Sequence, residues 1–318
     1  MSIFINILVL SIGMILLIKG ADLFVGGASS MARNLKIPSL VIGLTLVSIG
    51  TSLPELSVSI TSAIKGMSDM SFGNVIGSNI FNTFVVIGIS ALFIPLTVSK
   101  YMIRYDIPIL ILIYALLAIF GFLITPYVIN LWESIFLLVL MFIYIIFLIF
   151  RSKNEKVIEK QDLKDNKWCI NILLAVIGLI GIILGGSFVV ESSKNIARTF
   201  GMSELLVGLT IVAIGTSLPE LVTSIVAAKK GENDIAIGNA IGSCIFNIVL
   251  ILAVSGIITP TTLNLTSYID LIFMSASAIL VFIMIIGGKR IGRGKGLILV
   301  FIYIIYLAYI ILRNLAIL

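Results

Sequence analysis

Ten apolar stretches divide this chain, and each has about the 20 residues that a helix needs to cross ~30 Å of hydrocarbon. Hydrophobic residues make up 60% of the chain and charged residues only 11%, whereas a soluble domain has about 25% charged residues. The sequence therefore predicts an all-α membrane protein with ten transmembrane helices, at about 3–31, 38–63, 71–97, 105–125, 129–150, 168–196, 204–228, 235–258, 266–287 and 295–316.

An internal repeat relates the two halves of the chain. From about Gly20 to Asn82, adding 165 to a residue number gives the counterpart in the second half, so that Gly73–Ser78 matches Gly238–Ser243. Each half holds five predicted spans, an odd number, and the second half must therefore enter the membrane in the opposite direction. We predict two inverted five-helix repeats, at 1–150 and 168–318, joined by a charged linker at 151–167.

Basic residues predict the orientation. With the N-terminus outside, the cytoplasmic connections hold sixteen Lys and Arg residues and the external connections three, and such an excess marks the cytoplasmic side. We expect both termini outside, the linker in the cytoplasm, and the chain in the cell membrane. The net charge of +6 then reflects contact with the lipid bilayer, not with nucleic acid. No protein partner and no removable signal peptide are predicted.

Two carboxylates lie in the middle of spans, where a charge costs roughly 2.5–3.5 kcal/mol. Glu55 ends the segment Gly50-Thr51-Ser52-Leu53-Pro54-Glu55, and Glu220 ends the same motif in the second half. We expect Gly50 to end a half-helix in the left-handed conformation and Pro54 to begin the next one. Helices 2 and 7 are therefore predicted to be broken, with backbone exposed toward a cavity. A proline-kinked packing helix is the alternative, but the duplicated carboxylate argues against it.

The spans that follow add polar side chains. Ser78 and Asn82 are spaced i, i+4, as are Ser243 and Asn247, so each pair shares a helix face. These four residues are candidate ligands, with interhelical hydrogen bonding as the alternative. The candidates are oxygen donors, which suit Ca²⁺. The chain has no histidine and only two cysteines, which excludes a histidine metal site and a disulfide framework. No resident cofactor is predicted.

The repeated Gly-Thr-Ser-Leu-Pro-Glu and Gly-Asn-x-Ile-Gly-Ser elements resemble the α-repeats of the sodium/calcium exchanger family, within the cation/Ca²⁺ exchanger superfamily and closest to its prokaryotic ten-span members. The resemblance implies exchange of Ca²⁺ for Na⁺ by alternating access, and no enzymatic activity. It implies that Glu55 and Glu220 bind both ions. The ion sites would be completed by Thr51, Thr216, Ser52, Ser217, Ser78, Ser243, Asn82, Asn247 and the backbone carbonyls of Ser48 and Ala213.

One position departs from the family pattern. Several members have an aspartate at one of the positions of Asn82 and Asn247, whereas both are amides here. The two glutamates balance one Ca²⁺ or two Na⁺, so a third Na⁺ would make exchange electrogenic, and a role of K⁺ stays open. The Gly-Asn-x-x-Glu pattern of proton-coupled relatives is absent. A cation channel and an intramembrane enzyme are the alternatives from other classes.

Four further carboxylates lie near the ends of predicted spans, and we expect them to meet water: Asp106, Glu133, Glu204 and Asp270.

Overall fold

The computed structural model describes residues 3–154, 168–200, 213–263 and 265–315. Almost all of these residues are helical. The helices are α1 (Ile3–Leu35), α2 (Ser39–Thr51), α3 (Leu53–Ile64), α4 (Ser68–Phe93), α5 (Met102–Ile124), α6 (Leu131–Asn154), α7 (Trp168–Thr199), α8 (Ala213–Thr216), α9 (Leu218–Lys229), α10 (Asn233–Ile258), α11 (Leu265–Ile286) and α12 (Arg293–Leu315).

Eight of these helices are long and apolar enough to cross a membrane, within the described parts of the chain. The pair α2 and α3, which meet at an angle of 48°, makes a ninth span if counted as one. The seventh predicted span, at 204–228, begins in residues outside the described part, and only its later portion, α8 and α9, is described. The chain is therefore an all-helical, multi-pass membrane protein.

The longest helices, α1 and α7, pack closely against each other because glycines lie along their contact. A Cβ added at Gly20 would lie 2.7 Å from the carbonyl oxygen of Gly178, and one added at Gly185 would lie 2.7 Å from that of Gly13. The backbones touch directly, as small residues permit in membranes. These glycines are 165 residues apart in two pairs, Gly13 with Gly178 and Gly20 with Gly185, so the equivalence begins earlier than Gly20.

The centre of the molecule is formed by α4 and α10, most of whose residues are buried. Each helix contains a π-helical segment, at Asn82–Val86 in α4 and at Asn247–Leu252 in α10. Such segments are rare inside α-helices and are often found at functional sites. Both begin at the asparagine that the sequence singled out.

Two short pairs of strands join the connections between helices. In one, β1 (Leu96–Thr97) pairs with β4 (Arg290–Ile291), and in the other, β2 (Val128–Ile129) pairs with β3 (Thr261–Thr262). The first pair joins connections predicted to be cytoplasmic, and the second joins connections predicted to be external. Beyond α4 the equivalent elements of the halves are 162 rather than 165 residues apart, as for the first residues of α6 and α12. The change in spacing hides this part of the equivalence from a fixed numerical offset.

The water-exposed role expected for the carboxylates near the span ends was wrong for two of the four. Asp106 is fully buried and forms a 2.8 Å ion pair with Arg151. Glu133 is also buried, because its carboxylate accepts hydrogen bonds from Thr125 Oγ1 and from the backbone N–H of Asn130. Asp270 is partly buried in an ion pair with Arg313, at 3.0 Å. Glu204 lies outside the described residues.

Tyrosines reinforce the two aspartate ion pairs in the same way. The Tyr144 hydroxyl donates to Asp106 Oδ1 at 3.2 Å, and the Tyr306 hydroxyl donates to Asp270 Oδ1 at 3.0 Å. In each half the tyrosine precedes the arginine by seven residues. The two clusters tie α5 to α6 and α11 to α12. A buried ion pair needs such additional hydrogen bonds to offset the cost of desolvating both charges.

Candidate cation site

The two broken helices have the same local geometry. Ser52 separates α2 from α3 with φ −84° and ψ 7°, and Ser217 separates α8 from α9 with φ −93° and ψ 7°. Pro54 and Pro219 lie in the first turn of the helices that follow, as do Glu55 and Glu220. A proline suits this position because its missing N–H is not needed there. The negative side chain also lies at the positive end of the helix dipole.

The prediction of a left-handed Gly50 was wrong. Gly50 lies inside the helical run that continues to Thr51, and the positive-φ glycines among the described residues are Gly66 and Gly231. Gly50 instead permits a close approach, since a Cβ there would lie 3.1 Å from Phe24 Cζ on α1 and 3.1 Å from Leu179 Cδ1 on α7. The break at residue 52 therefore sits against the long helix pair.

Each glutamate is hydrogen-bonded by the serine at the opposite break. Ser52 Oγ donates to Glu220 Oε1 at 2.8 Å, and Ser217 Oγ donates to Glu55 Oε1 at 3.0 Å. The two motifs, 165 residues apart, therefore meet face to face. Glu55 and Glu220 are both fully buried, and Oε2 of each has no hydrogen-bond partner. A buried carboxylate oxygen without a partner is costly, and a cation would remove that cost.

The serines of α4 and α10 join the same cluster. Ser78 Oγ lies 2.9 Å from Ser217 Oγ and donates to Glu55 Oε1 at 3.4 Å. In the equivalent positions, Ser243 Oγ lies 3.0 Å from Ser52 Oγ and donates to the backbone carbonyl of Ser48 at 3.4 Å. The interhelical hydrogen bonding considered for these serines is therefore present, and it brings their oxygens to the carboxylates.

Two asparagines brace the half-helices that carry the glutamates. Asn74 Nδ2 donates to the backbone carbonyl of Glu55 at 3.2 Å, and Asn239 Nδ2 donates to that of Glu220 at 3.1 Å. Each amide also donates to a serine one turn further along, at 2.9 Å in both halves. Asn239 additionally accepts from Thr51 Oγ1 at 2.9 Å. This contact directs the Thr51 hydroxyl to an amide, whereas the resemblance implies a cation ligand.

The remaining candidates lie around this cluster. Asn82 and Asn247 are fully buried; Asn82 has no hydrogen-bond partner on either side-chain atom, and Asn247 has none on Oδ1. Thr216 is buried beside the second break. Ala213 begins α8 at the edge of the described residues, and nothing further is described for it.

The cluster is chemically an oxygen-rich site with two carboxylates. Among the described residues, no group of three or more His, Cys, Asp or Glu side chains could hold a metal ion. Zinc and copper sites typically use thiolate or imidazole ligands, and Cys244 is the one such side chain near the cluster. Hydroxyl, amide and carboxylate oxygens fit hard cations such as Ca²⁺ and Na⁺.

Sequence reasoning did not assign a role to Asn79, which lies next to Ser78. Asn79 is fully buried and accepts a 2.9 Å hydrogen bond from Asn247 Nδ2. The signal in the sequence was an asymmetry, because the counterpart of Asn79 is Cys244.

Comparisons with known proteins agree with this architecture. The family model described as "Sodium/calcium exchanger protein" matches residues 5–150 and 170–312. The putative antiporter CaxA of Alkalimonas amylolytica is 38% identical over 93% of this chain and 95% of its own length. The sodium/calcium exchanger MaX1 of Methanosarcina acetivorans is 33% identical over 95% of this chain and 97% of its own.

A solved structure of the sodium-calcium exchanger NCX_Mj superposes on this chain with a TM-score of 0.85 and 32% sequence identity, covering 96% of this chain and 99% of that one. The fold and the site thus define a membrane antiporter of the calcium and sodium transport class. The chain belongs to the sodium/calcium exchanger protein family, which is a family of transporters and not of enzymes.

Proposed function

We propose that this chain is a secondary active antiporter that exchanges Ca²⁺ for Na⁺ across the cell membrane by alternating access. The observation that carries the proposal is the reciprocal bonding of Glu55 by Ser217 and of Glu220 by Ser52. It brings two buried carboxylates into one cluster of oxygens while one oxygen of each carboxylate stays unpartnered. Two negative charges balance one Ca²⁺ or two Na⁺, so both ions can compete for one site.

The full ligand set that we propose follows the matched positions of the two halves. Glu55 and Glu220 supply the charge, and the neutral oxygens come from Thr51, Thr216, Ser52, Ser217, Ser78, Ser243, Asn82, Asn247 and the carbonyls of Ser48 and Ala213.

The proposed membrane arrangement has ten spans in two inverted repeats, 1–150 and 168–318, with the linker 151–167 in the cytoplasm and both termini outside. The strand pairs support this arrangement, since each joins connections that the basic residues assign to one side. The salt bridge between Arg33 and Glu232, at 3.3 Å, likewise joins two connections predicted to be cytoplasmic. Inverted repeats with broken helices at the midplane are typical of secondary transporters.

Coupling follows from charge in this proposal. With no ion bound, two buried carboxylates repel each other at low dielectric, and moving the site through an occluded state is unfavourable. Binding of Ca²⁺ or Na⁺ neutralises the site, so the loaded protein can change its access and the empty protein cannot. The glycine-mediated contact of α1 with α7, which also touches the break at Gly50, makes this pair the candidate moving unit.

The test is Na⁺-driven ⁴⁵Ca²⁺ uptake in proteoliposomes with the membrane potential clamped. Glu55→Gln and Glu220→Gln should each lower uptake at least ~100-fold, because removing one charge from a buried, balanced set costs roughly 3–5 kcal/mol. Glu191→Gln, on the exposed surface of α7, is the control and should transport normally. Preserved uptake in both site variants would refute the assignment of the glutamates.

The same vesicles separate the alternatives. Uptake driven equally by a pH gradient would indicate Ca²⁺/H⁺ exchange, and a requirement for K⁺ would indicate a K⁺-dependent exchanger. Single-channel currents in planar bilayers would indicate a cation channel. We expect a Na⁺ gradient to drive uptake and no unitary currents.

A further inference from the structure

Asn79 and Cys244 occupy equivalent positions, and they contact each other where α4 and α10 meet. Asn79 Nδ2 donates to the backbone carbonyl of Cys244 at 3.1 Å, and Cys244 Sγ donates to the backbone carbonyl of Asn79 at 3.6 Å. Both residues are fully buried. The contact is symmetric in position but not in chemistry, because one side chain is an amide and the other is a thiol.

The backbone carbonyl of Cys244 determines which way the Asn79 amide points. A carbonyl can only accept, so the Asn79 nitrogen must face it and the Asn79 oxygen must face away. That oxygen accepts from Asn247 Nδ2 at 2.9 Å. The Asn247 nitrogen is therefore held as well, and its Oδ1, which is buried and without a hydrogen-bond partner, must be the atom left to bind something else.

Asn247 lies one helical turn beyond Ser243, on the same face of α10. Ser243 Oγ is 3.0 Å from Ser52 Oγ, which donates to Glu220. The unpartnered oxygen thus belongs to the face of α10 that meets the carboxylates.

The first half has no equivalent arrangement. The side chain that would hold Asn82 is Cys244, and a thiol forms only weak hydrogen bonds. Both polar atoms of the Asn82 side chain are buried without a partner. Its amide can rotate, whereas the amide of Asn247 is fixed.

We propose that Asn79 is a positioning residue for the cation site: it links the backbone carbonyl of Cys244 to the side chain of Asn247 and presents the Asn247 carbonyl oxygen to the bound cation. The proposal rests on the proposed function, since it assigns a task within that site. It gives the neutral site one oriented amide ligand on the side of α10, at the position where several family members have an aspartate.

The test is equilibrium ⁴⁵Ca²⁺ binding to the purified full-length protein in detergent. Asn79→Leu should weaken binding about tenfold or more, as loss of a residue that orients a metal ligand typically does. Cys244→Ala is the matched control, because it removes the thiol but keeps the backbone carbonyl that Asn79 uses. Its Kd should stay within about twofold of the wild-type value.

A double-mutant cycle separates positioning from general damage to the fold. In an Asn247→Ala background, Asn79→Leu should change the Kd by less than about twofold, because the ligand it orients is gone. In an Asn82→Ala background, the effect of Asn79→Leu should remain about tenfold. If Asn79→Leu does not yield folded protein, Asn79→Cys, which introduces the residue type of position 244, replaces it.

Each outcome decides between the two proposals. Loss of binding in Glu55→Gln together with unchanged binding in the Asn79 variant overturns the role of Asn79 alone. Equal effects of the Asn79 substitution in both backgrounds overturn it too. Absence of saturable Ca²⁺ binding by the wild-type protein overturns the proposed function and the role of Asn79 together.

Discussion

The two halves of the cation site match closely at their carboxylates and differ at the asparagines behind them. Each glutamate receives a serine hydroxyl from the opposite break, and each half-helix is braced by an asparagine. One turn deeper, Asn247 is held by Asn79, whereas Asn82 has no partner. Charge is thus distributed equally between the halves, and the neutral ligands are not. A site formed from a duplicated sequence can treat its two sides differently through one changed residue.

The strongest test of the matched part is removal of the serines that cross between the halves. Ser52→Ala and Ser217→Ala should each weaken Ca²⁺ binding about 10–100-fold, because a hydrogen bond to a charged group contributes roughly 1.5–3 kcal/mol. Binding of ⁴⁵Ca²⁺ measures the effect. Ser90→Ala and Ser255→Ala are matched controls, since these buried hydroxyls have no partner. Wild-type affinity in either crossing variant would show that the carboxylates are not equivalent.

The unequal asparagines predict opposite effects on stability. Asn247→Leu should lower the unfolding free energy of the ion-free protein by about 1–3 kcal/mol, because it leaves the buried Asn79 oxygen without a donor. Asn82→Leu removes two unpartnered buried atoms and should be neutral or stabilising. Unfolding titrations in detergent, without Ca²⁺ or Na⁺, measure both. Equal destabilisation by the two variants would contradict the difference between the halves.

The bracing asparagines should differ by one hydrogen bond. Asn239→Ala should cost about 1 kcal/mol more than Asn74→Ala, since Asn239 also accepts from Thr51 and a neutral hydrogen bond contributes roughly that amount. Comparison of the two unfolding free energies provides the measurement. In a Thr51→Val background the two asparagine variants should become equal, and a persisting difference would mean that another contact is responsible.

The smallest effect is expected at the ion pair between α1 and the connection from α9 to α10. Arg33 pairs with Glu232 at 3.3 Å, with the arginine side chain about half exposed, and the counterpart of Glu232 is Met67. Glu232→Met should therefore change the unfolding free energy by at most ~1 kcal/mol, the usual range for an exposed pair. Its Kd for Ca²⁺ should be unchanged. A large change in affinity would place this connection in contact with the site.

Local signals were sufficient for the positions of the helices and for the break at Ser52. Long apolar stretches marked the spans, and Pro54 predicted the start of α3 because its geometry suits only the first turn of a helix. The same reasoning failed at Gly50, where a packing requirement and not a left-handed turn explains the glycine. A glycine permits both, and only its neighbours decide between them.

Contacts between distant residues could not be predicted in the same way. Asp106 was expected to meet water because it lies near a span end, but Arg151, on the next long helix, pairs with it in the interior. The link between Asn79 and Asn247 spans 168 residues, and no local pattern distinguishes an asparagine that orients a ligand from one that binds a cation. Such contacts depend on how the helices cross.

The sequence by itself determined the helical membrane class, the two motifs and the two carboxylates, because apolar length, proline geometry and the cost of a buried charge act locally. Only the tertiary structure decided that each glutamate bonds to the opposite break, that Asp106 is buried, and that Asn79 holds Asn247. These features arise where helices from different halves meet, and side-chain geometry across such a contact is a property of the packed fold.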